Sequence, residues 1–161
     1  MMAQSTNSSW LSFRLSIITF AFAAALTATA CGNDVQKATV GSKSAANEAA
    51  ALGALRTIAT AQSVYSVSHE GDYGTFEELV SAGQLDARFS GSQPVVGGYV
   101  MTMKVSPKDS ATGQPPSYAV NADPQQNVAA ASTGNRHFYA DSSGVIHVNA
   151  KQSAAASDSP L

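Results

Sequence analysis

Cysteine is almost missing from this chain of 161 residues: Cys31 stands alone, so no internal disulfide can staple the fold. Charge is scarce as well, with Asp, Glu, Lys and Arg at 12% and a net charge of −2. Nucleic acid is therefore not an expected partner, because its surface calls for clustered Lys and Arg. Long apolar runs are also lacking. The main one, residues 15–26 (LSIITFAFAAAL), has twelve residues, against about 20 for a membrane span. Aromatics are few, but six Phe, five Tyr and one Trp suffice for one small core. The length allows one domain and hardly two.

What is present begins with a targeting pattern. A polar start carrying Arg14, the short apolar run and then Ala28-Thr29-Ala30 have the layout of a secretory signal over residues 1–30. Cys31 follows directly. Small residues before a lone cysteine resemble a bacterial lipobox, although Ala28 stands where Leu is usual. The resemblance implies a Cys31 modified with diacylglycerol and an exported chain anchored in the cell envelope. Ordinary secretion and a retained, uncleaved anchor are the alternatives. Gly32, where Asp would signal inner-membrane retention, points to the outer membrane.

Residues 31–46 are then expected as the lipidated cysteine and a flexible tether, since GNDVQKATVGSKSAA has no sustained apolar period. Residues 47–69 read as one amphipathic helix. Leu52, Leu55, Ile58, Ala61 or Gln62, and Tyr65 recur at helical spacing, with Arg56, Thr57, Thr60 and Ser63 opposite. Asn47 or Ser44 is the expected N-cap, and Glu48 suits a first turn. Thr75 and Glu78 have capping-box spacing for a short second helix ending near Gly83.

Strand signals follow. Residues 99–105 alternate, with Tyr99, Met101, Met103 and Val105 on one face, preceded by Gly97-Gly98 and stopped by Pro107. Residues 117–121 form a shorter candidate. Residues 136–140 and 145–149 flank Asp141-Ser142-Ser143-Gly144, a hairpin signal. The expected fold is α+β: a long N-terminal spine helix and a short helix on a three- or four-stranded antiparallel sheet over residues 47–149. Residues 150–161 are expected as a disordered tail.

Several groups of residues together resemble the globular head of bacterial type IV pilin-like and pseudopilin-like proteins. They are Asn47-Glu48 with Leu55-Arg56-Thr57-Ile58; Tyr118-x-Val120-x-Ala122-Asp123-Pro124; and Thr133-Gly134-x-Arg136-x-Phe138-Tyr139-x-Asp141-x-x-Gly144-Val145-Ile146. The resemblance spans about residues 45–149. It implies a helix on an antiparallel sheet and a structural or partner-binding role among envelope, secretion or pilus-system proteins. The chain departs from pilins at the prepilin site: Gly32 is followed by Asn33, with no apolar stretch after it. Filament assembly through a packed apolar helix is therefore not implied. A pilin or pseudopilin subunit that keeps residues 15–26 as its anchor is the alternative.

Catalytic patterns are weak. His69-Glu70 lacks the second histidine of a zincin helix, and no serine has a G-x-S-x-G setting. Gly97-Gly98 opens a strand and so is no phosphate loop. His137 and His147, on opposite hairpin arms, make a poor metal pair without further ligands. Glu77-Glu78 reads as a helix start. No enzyme activity and no cofactor are expected. Asp123 and Asp141 sit in turn-like sequences, and because some pseudopilins bind calcium in C-terminal loops they are the candidate calcium ligands.

Overall fold

The structure, a computed structural model, describes residues 32–125 and 133–161, with side chains from Ser42 onward. Val40–Leu161 is one compact unit; Met1–Thr39 is the other, of which only the helical backbone from Gly32 is described. Cys31 and the signal-like run lie outside the described residues.

Helix α1 spans Gly32–Ser68. Its buried line is Ser44, Glu48, Ala51, Leu55, Ile58, Gln62 and Tyr65. Steps of four and three keep these residues on one face. Ala54 and Ala61 lie beside the line and are also buried, so the helix presents a thin surface there. Residues 32–46, expected as a flexible tether, are therefore helical. Ser44 and Asn47 lie inside the helix and do not cap it. Glu48 is no first-turn residue. The physical reason is that three of the seven seam positions are polar, so hydropathy alone does not show where the seam begins.

The helix closes on a Schellman-type turn, with the Gly71 N–H donating to the Ser66 carbonyl at 2.9 Å. Glu70 occupies the left-handed position at φ 56°, where glycine is usual. Helix α2, Phe76–Ser81, follows. Thr75 Oγ1 accepts from the Glu78 N–H at 3.3 Å, and Glu78 Oε2 accepts from the Thr75 N–H at 2.7 Å. That reciprocal pair satisfies two N–H groups that the first turn leaves without partners. Phe76 and Leu79 point into the core, joined by Phe89 from a 3-10 turn at Ala87–Phe89.

The remainder is one antiparallel meander in chain order: β1 Val95–Val96, β2 Tyr99–Ser106, β3 Ser117–Pro124, β4 His137–Asp141, β5 Ile146–Asn149 and β6 Ser159–Pro160. The class is α+β, but the sheet has six strands where three or four were expected. The additional strands are the two edges. Each has two residues, too few to show a period of two. Gly97 and Gly98 form the two-residue β1–β2 turn, both with positive φ (59° and 76°), as a type I′ hairpin requires.

One face of the sheet packs on α1. Tyr99, Met101, Val120, Ala122 and Phe138 are fully buried there, in one cluster with Leu55, Ile58 and Leu79. Burial alternates strictly along β3, so a slip of one residue would turn this whole set to the other side. Residues 150–161, expected to be disordered, fold back onto the sheet: Ala154 is buried and β6 pairs with β5.

Candidate functional site

Two polar clusters tie the helix and the C-terminal segment to the sheet. The first joins α1 to the segment before β4. The Asn47 amide donates to the Thr133 carbonyl at 2.8 Å. Glu48, only 8% exposed, accepts from the Asn135 N–H at 3.1 Å and pairs with Arg136 at 2.8 Å. Arg136 also lies over the Phe138 ring. Tyr99 donates its hydroxyl to the Arg136 carbonyl at 2.9 Å. Burial, followed by the charge of Glu48, pushes the Tyr99 pKa up to about 12. The Thr133 hydroxyl donates to the Gly98 carbonyl, so the β1–β2 turn joins the same cluster.

The second cluster covers the outer face of the sheet, where Asn121, Asp123, His137, Tyr139, Asp141, His147 and Asn149 are all half-buried. Asp123 contacts His137 Nδ1 at 2.6 Å through one oxygen and accepts from the Ser153 hydroxyl at 2.9 Å through the other. The Asn121 amide donates to the Ala154 carbonyl at 2.6 Å, and that of Asn149 to Asp158 at 2.9 Å. His147 Nδ1 lies 2.7 Å from the Asp158 carbonyl. The C-terminal segment is thus fastened across β3 to β5 before it adds β6.

Ser153, Asp123 and His137 are the residue types of a catalytic triad in the wrong order. The carboxylate lies between the other two, so the imidazole is not placed to take the serine proton. His137 and His147 each spend Nδ1 on a different partner. Asp123 and Asp141, the candidate calcium ligands, share a face but are not brought together. Asp141 pairs with Ala119, four residues along β3 from Asp123, a separation of roughly 13 Å at strand rise. A calcium ion needs its oxygens at about 2.3–2.6 Å, so one ion cannot bridge the two. Among the described residues, no group of three His, Cys, Asp or Glu is arranged to hold a metal ion.

Asp141 instead shapes its own turn. Burial acts to raise its pKa, but hydrogen bonds from Ser143 and the Tyr139 hydroxyl, with the charge of His147, hold it below the usual carboxylate value. His69, read as a polar helix end, stacks on the Tyr65 ring with centroids 3.6 Å apart. Set against known proteins, the chain matches no family model, no curated protein and no solved structure.

The residues that the sequence reading missed are Ser153, Ala154 and Asp158 of the fastening segment; Gln62 stands on the helix face in that reading as an alternative to Ala61, and both are buried. Deleting residues 150–161 is expected to cost about 2 kcal/mol, since it exposes the β5 edge and strips partners from Asn121, His147 and Asn149. Urea denaturation reads the loss. A deletion without effect on the midpoint would contradict the fastening.

Proposed function

We propose that this chain is a non-enzymatic cell-envelope lipoprotein, with a pilin-like head carried on a lipid-modified Cys31. Its role is structural or binding, through contact with an envelope, secretion or pilus-system partner. The observation that carries the reading is the joint between Asn47-Glu48 and Thr133 to Arg136. These residue groups are far apart in the chain and belong to the pilin-type resemblance, and in the fold they bond to one another. The joint gives separate motifs one physical role and supports the reading. In this account the anchor is the lipid, and Gly32 after the cysteine directs the protein to the outer membrane.

A second reading has an observation of its own. The backbone described from Gly32 is helical, which suits a pilin or pseudopilin subunit that retains residues 15–26. No helix among the described residues is long and apolar enough to cross a membrane. The two readings separate on Cys31. In a bacterial host, the wild-type chain is expected in the membrane fraction and the Cys31→Ser variant is not. A variant that stays membrane-bound would give the second reading first place.

A further inference from the structure

Residues 150–161 are a strap laid on the sheet and add little to its core. Only Ala154 is buried and Asp158 half-buried; every other residue from Ala150 to Leu161 is exposed. Strand β6 contributes two residues, and the strap is otherwise held by polar bonds to Asn121, Asp123, His147 and Asn149. Little apolar surface is uncovered when it lifts, and its bonds can be exchanged for bonds to water. A segment held in this way opens at lower cost than the strands beneath it.

The strap covers a sheet edge. Strand β5 reads Ile-His-Val-Asn, with no lysine, proline or carboxylate, the residues that blunt a bare edge. The strap supplies what β5 lacks. Its register sets Pro160 opposite His147 and Ser159 opposite Val148, and the Leu161 N–H donates to the Ile146 carbonyl at 2.8 Å. Bonded and unbonded pairs alternate along an antiparallel ladder. Leu161 with Ile146, and Ser159 with Val148, are therefore the bonded pairs, and Pro160 stands in the unbonded position between them. Its nitrogen faces away from β5, toward the outer edge, where it has no hydrogen to offer a further strand. The proline ends the sheet without costing β6 a bond to β5.

We propose that residues 150–161 are a detachable edge guard: seated, they close the sheet; lifted, they let the β5 edges of two copies of this chain pair antiparallel. The edge suits its own copy. About a two-fold axis at His147, Ile146 of one copy faces Val148 of the other. The β5 groups that the strap had bonded are then satisfied reciprocally, and no carboxylate or ammonium on β5 is set against its like. The paired edge is short, so the dimer is weak, with half-association expected near about 100 μM. The guard is independent of how the chain is anchored.

The test is the particle mass by light scattering, in one mild detergent and at up to about 1 mM protein. Every chain carries Cys31→Ser, so that neither a lipid nor an intermolecular disulfide contributes. Deleting residues 150–161 from the full chain is expected to double the protein mass of the particle relative to the undeleted chain, and dilution to reverse it. Adding His147→Lys to the deletion sets two ammonium groups opposite each other at the axis, and is expected to return the mass to that of the undeleted chain. Amide hydrogen exchange of the undeleted chain reads the release without any need for the deleted chain to fold. The Val148 N–H faces β6 and the His147 N–H faces β4, where His147 pairs with Tyr139. Val148 is therefore expected to exchange at least about tenfold faster than His147. Three results would overturn the guard: a deletion that leaves the mass unchanged, a dimer that survives His147→Lys, or equal exchange at Val148 and His147.

Discussion

Replacing Gln62 with Ala is expected to lower stability by about 3–4 kcal/mol, the largest loss foreseen for any polar residue of the fold. Gln62 is fully buried in the helix seam. Its amide donates to the Gly74 carbonyl at 2.6 Å, and its carbonyl oxygen accepts from the Gly74 N–H at 2.9 Å. Both backbone groups of Gly74 thus depend on one side chain. Truncation leaves them without partners and opens a void beside Met103, whose sulfur lies 3.4 Å from the amide. Gln62→Glu separates the two causes. It keeps the volume but, as a carboxylate, turns an acceptor toward the Gly74 carbonyl, so it is expected to cost at least 2 kcal/mol by roughly the same reasoning. Chemical denaturation measures both. If Gln62→Glu were neutral, the effect would belong to packing and not to the paired bonds.

The second large effect is at Gly97, where substitution by Ala is expected to cost about 3 kcal/mol. Its φ of 59° already disfavours a side chain, at roughly 1–2 kcal/mol. A Cβ there would also stand 2.6 Å from Cβ of Ala50 on α1, and a helix backbone does not yield easily. The β1–β2 turn would have to lift from the helix and pull on the Thr133 hydroxyl bonded to Gly98. Ala50→Gly removes the clash but not the φ cost. A double-mutant cycle is therefore expected to show a coupling of about 1–2 kcal/mol. Additive losses would mean that the close approach does not limit this site.

The strands β2, β3 and β4 are legible in the sequence because apolar residues alternate with polar ones, and Tyr99, Met101, Val120 and Phe138 mark the period. The edges are not. Val95–Val96 and Ser159–Pro160 are too short for a pattern, although Gly97-Gly98 is itself a hairpin turn signal that could have disclosed β1. The helix is legible where its seam is Leu and Ile and illegible where the seam is Ser44 and Glu48, because their burial rests on close packing and an ion pair formed across the chain. The tail fails for the same reason. Ser153 and Asp158 read as solvent-loving until Asp123 and Asn149 are seen beneath them. Asp123 and Asp141 illustrate the converse: residue type suggests a shared ion, while strand register sets them apart.

The most direct test of the account is the intact mass and N-terminal mapping of the protein made in a bacterial host, beside Cys31→Ser. The expected result is a mature chain that starts at Cys31, carries the mass of a lipid modification and loses it in the variant. A chain that starts at Cys31 without added mass, or one that still contains residues 15–26, would contradict a lipid-anchored head.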